Sequence, residues 1–251
     1  MCGRYVSTRS PEDLATAFHA SLPDPGPDLA PDLVPTPSWN VAPTDRVWGV
    51  LERVAKDDAA AVARELRPLR WGLVPSWAKD LSVGARMINA RVETVHEKPS
   101  FRKAFTSRRC LLPADGYYEW IPVPATKGVK AHKQPYFLTP QGGGGMAMAG
   151  LYEFWKDPAV ARDQQEWVVS CTIITTEATD AAGRVHPRMP LTIAPEDFAD
   201  WLNPEHHDVA DLRALLAVPA GGEIEVRPVS LAVNNVRNDG PQLLDDAPVT
   251  S

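Results

Sequence analysis

The chain has 251 residues, 44% of them hydrophobic, and a formal net charge of −6 at pH 7, which is typical of a folded globular protein. No run of 18 apolar residues occurs and no basic segment precedes an apolar run at the start, so we expect neither a membrane span nor a signal peptide. The cysteines, Cys2, Cys110 and Cys171, are odd in number and far apart, which predicts neither a disulfide framework nor a CxxC metal site and favours a reducing, cytoplasmic compartment. We expect no metal and no cofactor.

The first part of the chain predicts short strands around one helix. Residues 4–7 predict a strand. The helix is expected to begin after Ser10, the N-cap, with Pro11 in its first turn, and to end near Ala20. Residues 22–38 contain six prolines and predict an exposed loop or insertion, because proline interrupts both strands and helices. The following segments are predicted to be a strand at 47–51, a turn at 57–63 and a strand at 65–74.

The second part predicts the central strands and several short helices. The predicted strands are 135–138, 146–155, 167–175 and 223–229, and a strand, turn and strand cover 110–120. The predicted helices are 99–105, 195–202 and 209–216, and the predicted loops are 121–134, 141–145 and 175–183. These elements indicate a single α+β domain over residues 1–238, with a twisted, mostly antiparallel sheet or barrel-like core and short flanking helices. Residues 239–251 are expected to form a polar, frayed tail.

Positive charge is concentrated in one segment of this acidic chain. Residues 64–109 contain 11 Lys and Arg against 4 Asp and Glu, so this segment carries +7 and the remainder −13. Arg70-Trp71 and Trp77 lie within it, and aromatic rings beside cations are what a single-strand groove requires, since bases stack on rings while phosphates meet cations. The residue pattern leaves two alternatives open: a solvated basic face without a partner, and tryptophans that belong to the core.

Cys2 becomes the amino terminus if Met1 is removed, and it then carries an α-amine beside a thiol. The amine can condense with an aldehyde to a Schiff base, and the thiol can close on the imine carbon to give a thiazolidine. A free α-amine titrates at about 7.7–8.0, far below a lysine, so a usable fraction is unprotonated at neutral pH. The alternative is that Cys2 is simply a small buried residue near a strand start.

Two further side chains are candidates for moving protons. Glu119 lies between Tyr118 and Trp120, where burial would raise its pKa, although strand alternation could instead turn it outward to water. His186 precedes Pro187 in a loop with few other polar residues, so its position is restricted. A lone histidine is also a common structural residue, and the spacing alone does not decide between the two roles.

Seven motifs, taken in order, closely resemble the SOS response-associated peptidase (SRAP) family. They are Met1-Cys2-Gly3-Arg4-Tyr5, Trp39-Asn40-Val41-Ala42-Pro43, Arg70-Trp71-Gly72-Leu73-Val74-Pro75, Asn89-Ala90-Arg91-Val92-Glu93-Thr94, Ser100-Phe101-Arg102, the segment from Arg109 to Trp120, and His186-Pro187-Arg188-Met189-Pro190. The resemblance runs from Cys2 to at least Val236. The proline-rich stretch at 22–38 and the loop at 125–133 depart from the pattern without touching a motif.

The resemblance implies a sensor and shield of abasic sites in single-stranded DNA that acts as a monomer and forms a thiazolidine cross-link through Cys2. By the same resemblance, Asn89 orients the amino terminus and the sugar, Glu119 acts as acid and base, and His186 handles the proton on the deoxyribose ring oxygen. The residues implied to line the DNA are Arg4, Trp71, Arg86, Arg91 and Arg188, with Trp71 stacking on a base. The family name also implies peptidase activity, which here would be removal of Met1.

Two other functions begin from the same residues. An N-terminal-nucleophile amidohydrolase also starts with Cys2-Gly3 after Met1 is lost, but it has no need of the basic segment. A non-covalent single-strand binding module would use the basic segment and leave Cys2 without a role.

Overall fold

A computed structural model describes residues 2–22, 33–54, 62–126, 130–217 and 222–247. These residues form twelve strands: β1 (Tyr5–Ser7), β2 (Ser38–Val41), β3 (Arg46–Val54), β4 (Val62–Trp71), β5 (Asn89–Arg91), β6 (Arg109–Ala114), β7 (Gly116–Val123), β8 (His132–Pro140), β9 (Met146–Trp155), β10 (Val168–Glu177), β11 (Arg188–Pro190) and β12 (Ile224–Pro228). The α-helices are α1 (Pro11–Phe18), α2 (Arg102–Ser107), α3 (Asp180–Gly183), α4 (Phe198–Leu202) and α5 (Val209–Ala217).

The strands form two sheets, one of which closes on itself. The first sheet has the order β12-β8-β7-β1-β2 and is antiparallel throughout. In the second sheet, β10 pairs with both β4 and β9, so β10, β4, β3, β6 and β9 form a closed ring. β5 and β11 add to β10 at its carboxyl end. The predicted α+β fold with a mostly antiparallel, barrel-like core is therefore confirmed.

Two large apolar clusters hold these layers together. One packs α1, α2, α4 and α5 against one face of the ring, with Phe18, Phe105 and Trp201 among its members. The other joins the two sheets and contains Tyr5, Trp71 and Cys2. Aromatic side chains bury the largest apolar areas, so they supply much of the packing energy of both clusters. The amino terminus of the described chain thus lies inside the second cluster.

Local sequence signals explain several element boundaries. The Ser10 hydroxyl accepts a hydrogen bond from the Asp13 N–H, and α1 ends at His19, whose φ is 50°. β4 ends at Trp71 because Gly72 takes a positive φ of 117°, which a side chain disfavours. The predicted helix at 99–105 begins later, at Arg102, because a turn accommodates residues 94–101.

Several predicted loops are shorter than expected. β7 continues to Val123 and β8 begins at His132, so both strands include residues of the predicted loop at 121–134. β10 continues to Glu177, and β2 begins at Ser38, the last residue of the predicted proline-rich loop. Residues 62 and 63, predicted as part of a turn, begin β4. The remainder of the predicted turn at 57–63, and residues 23–32 of the proline-rich stretch, lie outside the described residues.

The prediction of a frayed tail is wrong for residues 239–247. A short 3₁₀ helix, Pro241–Leu244, places Leu243 in a buried cluster with Val6 and Tyr118. The Asp239 carboxylate accepts a hydrogen bond from the Trp39 N–H at 2.7 Å. The apolar residues within this polar stretch are sufficient to dock it on the first sheet. In the described part of the chain, no helix has the length and apolar character needed to cross a membrane.

Candidate functional site

Four of the candidate residues, Cys2, Asn89, Glu119 and His186, converge where the two sheets meet. Cys2 precedes β1, and β1 pairs with β7, so continuing the Tyr5–Tyr117 register by two residues places Gly3 opposite Glu119. Asn89 begins β5 on one side of β10, and His186 precedes β11 on its other side. The four residues thus come from four chain segments that only the folded topology brings together.

Cys2 is fully buried and is held by Asn89. The Asn89 side-chain Nδ2 donates a hydrogen bond to the Cys2 carbonyl oxygen at 2.7 Å. Burial, together with the charge of Glu119, raises the pKa of the Cys2 thiol well above its ordinary value. The alternative that Cys2 is a buried residue is therefore correct about its burial. The buried Cys2 also lies near Glu119, one of the two candidates for moving protons.

Glu119 points inward, which answers the question that the sequence left open. Gly116 to Glu119 are all buried, because both faces of β7 are covered, and Glu119 is 4% exposed. Burial raises the pKa of the Glu119 carboxyl, and the nearby His186 opposes this shift in part. A carboxyl with a raised pKa can hold a proton nearer to neutral pH and is suited to give and take it.

His186 lies against this carboxyl and has partners for either protonation state. Its Nδ1 is 3.8 Å from Glu119 Oε1. The Arg188 N–H donates to Nδ1 at 3.0 Å, and the Arg188 carbonyl oxygen lies 3.1 Å from the same nitrogen. A neutral ring can therefore accept at Nδ1, and a protonated ring can donate there. Nδ1 therefore has a hydrogen-bond partner on Arg188 in either protonation state.

Trp71 is a core residue, in contrast to the predicted role of stacking on a base. Its side chain is fully buried, donates from Nε1 to the Ile88 carbonyl at 2.9 Å and packs edge-on against Tyr5 with ring centroids 5.2 Å apart. Strand alternation turns Trp71 into the cluster between the sheets. Trp77, six residues later, is 63% exposed, so it is the ring of this segment that solvent and a base can reach.

Arg4 and Arg188 are engaged within the protein. Arg4 donates to Asn40 Oδ1 at 2.7 Å and to the Val233 carbonyl at 3.1 Å. Arg188 donates to the Glu93 carboxylate and to the Thr175 carbonyl. Arg86 and Arg91 are exposed. Arg91 and Arg188 lie on the two strands that flank the end of β10, and because Glu93 pairs with Arg188, the exposed cation of the two is Arg91.

Part of the basic segment at 64–109 is also neutralised internally. Arg64 pairs with Glu52, Arg67 with Glu65 and Arg108 with Glu153, whereas Arg109 is buried and donates to backbone carbonyls. The +7 of the sequence therefore overstates the charge that a partner can meet.

One supporting residue was missed as a functional candidate. Asn40 is 3% exposed, accepts from Arg4, and donates to the carbonyls of Asn235 and Asn238. It ties the segment after Cys2 to the C-terminal residues. Its place in the Trp39-Asn40-Val41-Ala42-Pro43 motif was the available signal, but a motif alone does not say what an asparagine contacts.

Among the residues that the structure describes, no group of three or more His, Cys, Asp or Glu side chains could hold a metal ion. A cavity of about 290 Å³ lies between α1 and the ends of β6 and β9, and none of the four converging residues lines it.

Comparison with known proteins identifies the family. Residues 1–236 match the sequence model described as SOS response associated peptidase (SRAP). The chain belongs to the SRAP family. Relatives in this family include the Bacillus subtilis (strain 168) abasic site processing protein YoqW, which is 35% identical over 98% of this chain and 99% of its own length. The mouse abasic site processing protein HMCES is 32% identical over 84% of this chain and 65% of its own.

Solved structures share the SRAP fold of this chain. A protein from Bacteroides thetaiotaomicron superposes with a TM-score of 0.75 at 23% identity, covering 98% of this chain and all of that one. A protein from Bordetella bronchiseptica gives a TM-score of 0.66 at 25% identity, covering 92% of this chain and all of that one.

Proposed function

We propose that this SRAP protein recognises abasic sites in single-stranded DNA and becomes covalently joined to them through Cys2, shielding the lesion. The observation that carries the proposal is the convergence of Cys2 with a carboxyl and an imidazole 3.8 Å apart. The names of the relatives, abasic site processing proteins, support the choice of substrate. Action as a cytoplasmic monomer, without a cofactor, is part of the proposal.

The proposed reaction needs the amino group of Cys2, so Met1 must be removed first. The same cysteine, carboxyl and imidazole are our candidates for that peptidase step. An abasic sugar is mostly a closed hemiacetal, and Glu119 or His186 protonates the ring oxygen as it opens to the aldehyde. The amine then adds to the aldehyde carbon, and loss of water from the carbinolamine, assisted by the same acid, leaves an imine.

The site supports an order for the two nucleophiles. Burial and the Glu119 charge raise the pKa of the Cys2 thiol, whereas a free α-amine titrates near neutral pH. The amine therefore attacks first. The sulfur then bonds to the imine carbon, its proton passes to the imine nitrogen, and a thiazolidine results. Ring closure is intramolecular and so carries a small entropic cost.

Asn89 has a positioning role in this scheme. Its Nδ2 holds the Cys2 carbonyl, whereas its buried Oδ1 has no hydrogen-bond partner among the described residues. An unpaired buried acceptor is unfavourable, so a donor from the processed amino terminus or from the sugar would be stabilised there. We propose that Asn89 orients the amine toward the aldehyde.

The direct test is incubation of the purified protein with a single-stranded oligonucleotide containing one abasic site, followed by a denaturing gel. We expect a slower-migrating product that forms without a reductant. The matched control is the same oligonucleotide with a tetrahydrofuran analogue, which has no aldehyde. Salt-sensitive binding without a covalent product would favour the simple binding module, and glutaminase activity without a product would favour the amidohydrolase.

A further inference from the structure

Two arginines face each other across adjacent strands on the side of β4 opposite to Trp71. Arg46 on β3 lies directly opposite Arg70 on β4. The next pair, Trp71 and Asp45, carries a ladder hydrogen bond at 2.9 Å, so Arg46 and Arg70 occupy a non-hydrogen-bonded position. The Cα atoms of such a pair lie about 4.5 Å apart, the closer of the two spacings. Like charges at directly opposite positions destabilise a sheet.

Arg70 itself holds no acceptor. Its side chain is partly buried, and its guanidinium makes no hydrogen bond to a described residue. Burial lowers its pKa, and Arg46 lowers it further. Other arginines of the fold do hold acceptors: Arg9, Arg53, Arg64, Arg108, Arg188 and Arg227 pair with carboxylates.

The packing around Arg70 leaves one edge of its guanidinium available. Nη1 is buried beside Gly84, where an added Cβ would come within 3.1 Å of it. Nε and Nη2 are not among the buried unpaired atoms, so they reach solvent. The Nε–Nη2 edge is a pair of parallel donors that matches two oxygens of a phosphate.

We propose that the Nε–Nη2 edge of Arg70, next to Arg46, binds a backbone phosphate of the DNA strand at a place separate from the reaction centre at Cys2. A phosphate at this edge would accept the unused donors of Arg70 and offset the effect of the neighbouring Arg46 charge on Arg70. Gly84 belongs to the loop of residues 72–88, which also carries the exposed Trp77 and Arg86, a combination suited to a single strand. The assignment to DNA rests on the function proposed above.

The test compares Arg70→Gln with Arg67→Gln, a matched control on the same strand whose arginine is already paired with Glu65 at 2.9 Å. Binding of an undamaged oligothymidine is measured by fluorescence anisotropy over a range of salt concentrations. We expect Arg70→Gln to weaken binding several-fold and to reduce the slope of log K against log salt by about 0.7, the value for one phosphate on a single strand. Arg67→Gln should leave both unchanged.

Melting temperatures with and without inorganic phosphate distinguish DNA from a free anion. Phosphate should raise the melting temperature of the wild type and of Arg67→Gln more than that of Arg70→Gln. If the phosphate effect disappears in Arg70→Gln while the DNA slope is unchanged, the site takes free phosphate and the DNA assignment is overturned. If Arg70→Gln and Arg67→Gln behave alike in both assays, the site itself is refuted.

Folding and the proposed function are checked separately. Because Arg70→Gln removes a like-charge contact, its melting temperature in phosphate-free buffer should equal or exceed that of the wild type, and a lower value would mark Arg70 as structural and overturn the proposal. At saturating DNA the variant should still cross-link an abasic oligonucleotide. Failure of the wild type to cross-link would refute the proposed function while leaving the salt-slope result for the phosphate site standing.

Discussion

Replacing Glu119 with glutamine should separate catalysis from stability, because the proposed role of this carboxyl is chemical whereas its burial is unfavourable for the folded state. Burial raises its pKa, so the folded state binds its proton more tightly than the unfolded state does. In the window between the unfolded pKa, near 4.5, and the higher folded value, stability therefore falls as pH rises. Each unit by which the pKa is raised costs about 1.4 kcal/mol above that window. Glu119→Gln removes this cost, so its unfolding free energy at pH 8 should equal or exceed that of the wild type.

The same substitution should slow the chemistry strongly. General acid–base catalysis contributes about 10²- to 10⁴-fold, and we expect cross-linking to slow by a factor in this range while non-covalent DNA binding stays nearly unchanged. The assay is the time course of gel-shifted product at saturating DNA, with denaturant unfolding measured at pH 5 and pH 8.

The control for this prediction is Glu153→Gln, another buried carboxylate, 7% exposed, which pairs with Arg108 at 2.8 Å. This variant should cross-link at the wild-type rate and lose stability, because it leaves the Arg108 charge without its partner. Cross-linking by Glu119→Gln at the wild-type rate, or loss of its DNA affinity with an unchanged rate, would refute the reasoning.

Three further predictions concern the remaining parts of the site. Cys2→Ala with Met1 removed should give only a reversible adduct that borohydride traps, whereas the wild-type product should survive heating without reductant; a heat-stable product from Cys2→Ala would exclude sulfur closure. Trp71→Ala should destabilise the fold by about 3–5 kcal/mol in denaturant unfolding, whereas Trp77→Ala should weaken DNA binding at unchanged stability, and the reverse pattern would restore Trp71 as the stacking ring. Arg4→Ala should lower the unfolding free energy by about 1–3 kcal/mol, because Asn40 loses its hydrogen-bond donor. Unchanged stability with a smaller salt dependence of DNA binding would instead make Arg4 a phosphate ligand.

Much of the fold follows from local signals in the sequence. The Ser10-Pro11 start of α1, the strand, turn and strand around Asp115, and the apolar runs of β9 and β10 each specify their element within a few residues. Closure of the five-stranded ring could not be predicted from such local signals. It depends on β10 pairing with two strands distant in sequence, and no local pattern encodes such pairing.

The sequence predicted which residues belong to the site better than it predicted what each of them contacts. Glu119 lies inward because both faces of β7 are covered, which period-two alternation does not anticipate. Trp71 and Trp77 share one apolar run with similar neighbours, so only the position of Trp71 within β4 distinguishes the core ring from the exposed one. Arg4 and Arg188 were predicted to line the DNA because the sequence does not show that Asn40 and Glu93 lie beside them in the fold.

The central claim is that the amine and the sulfur of Cys2 both bond to the abasic carbon. Its most direct test is mass spectrometry of the nucleotide-linked peptide, after proteolysis and nuclease digestion of a heat-treated reaction. Our account predicts an adduct confined to an amino-terminal peptide that begins at Cys2, with the mass of the sugar aldehyde added and one water lost, and with no free thiol on that residue. A heat-stable adduct on any other residue, or on a chain that retains Met1, would contradict it.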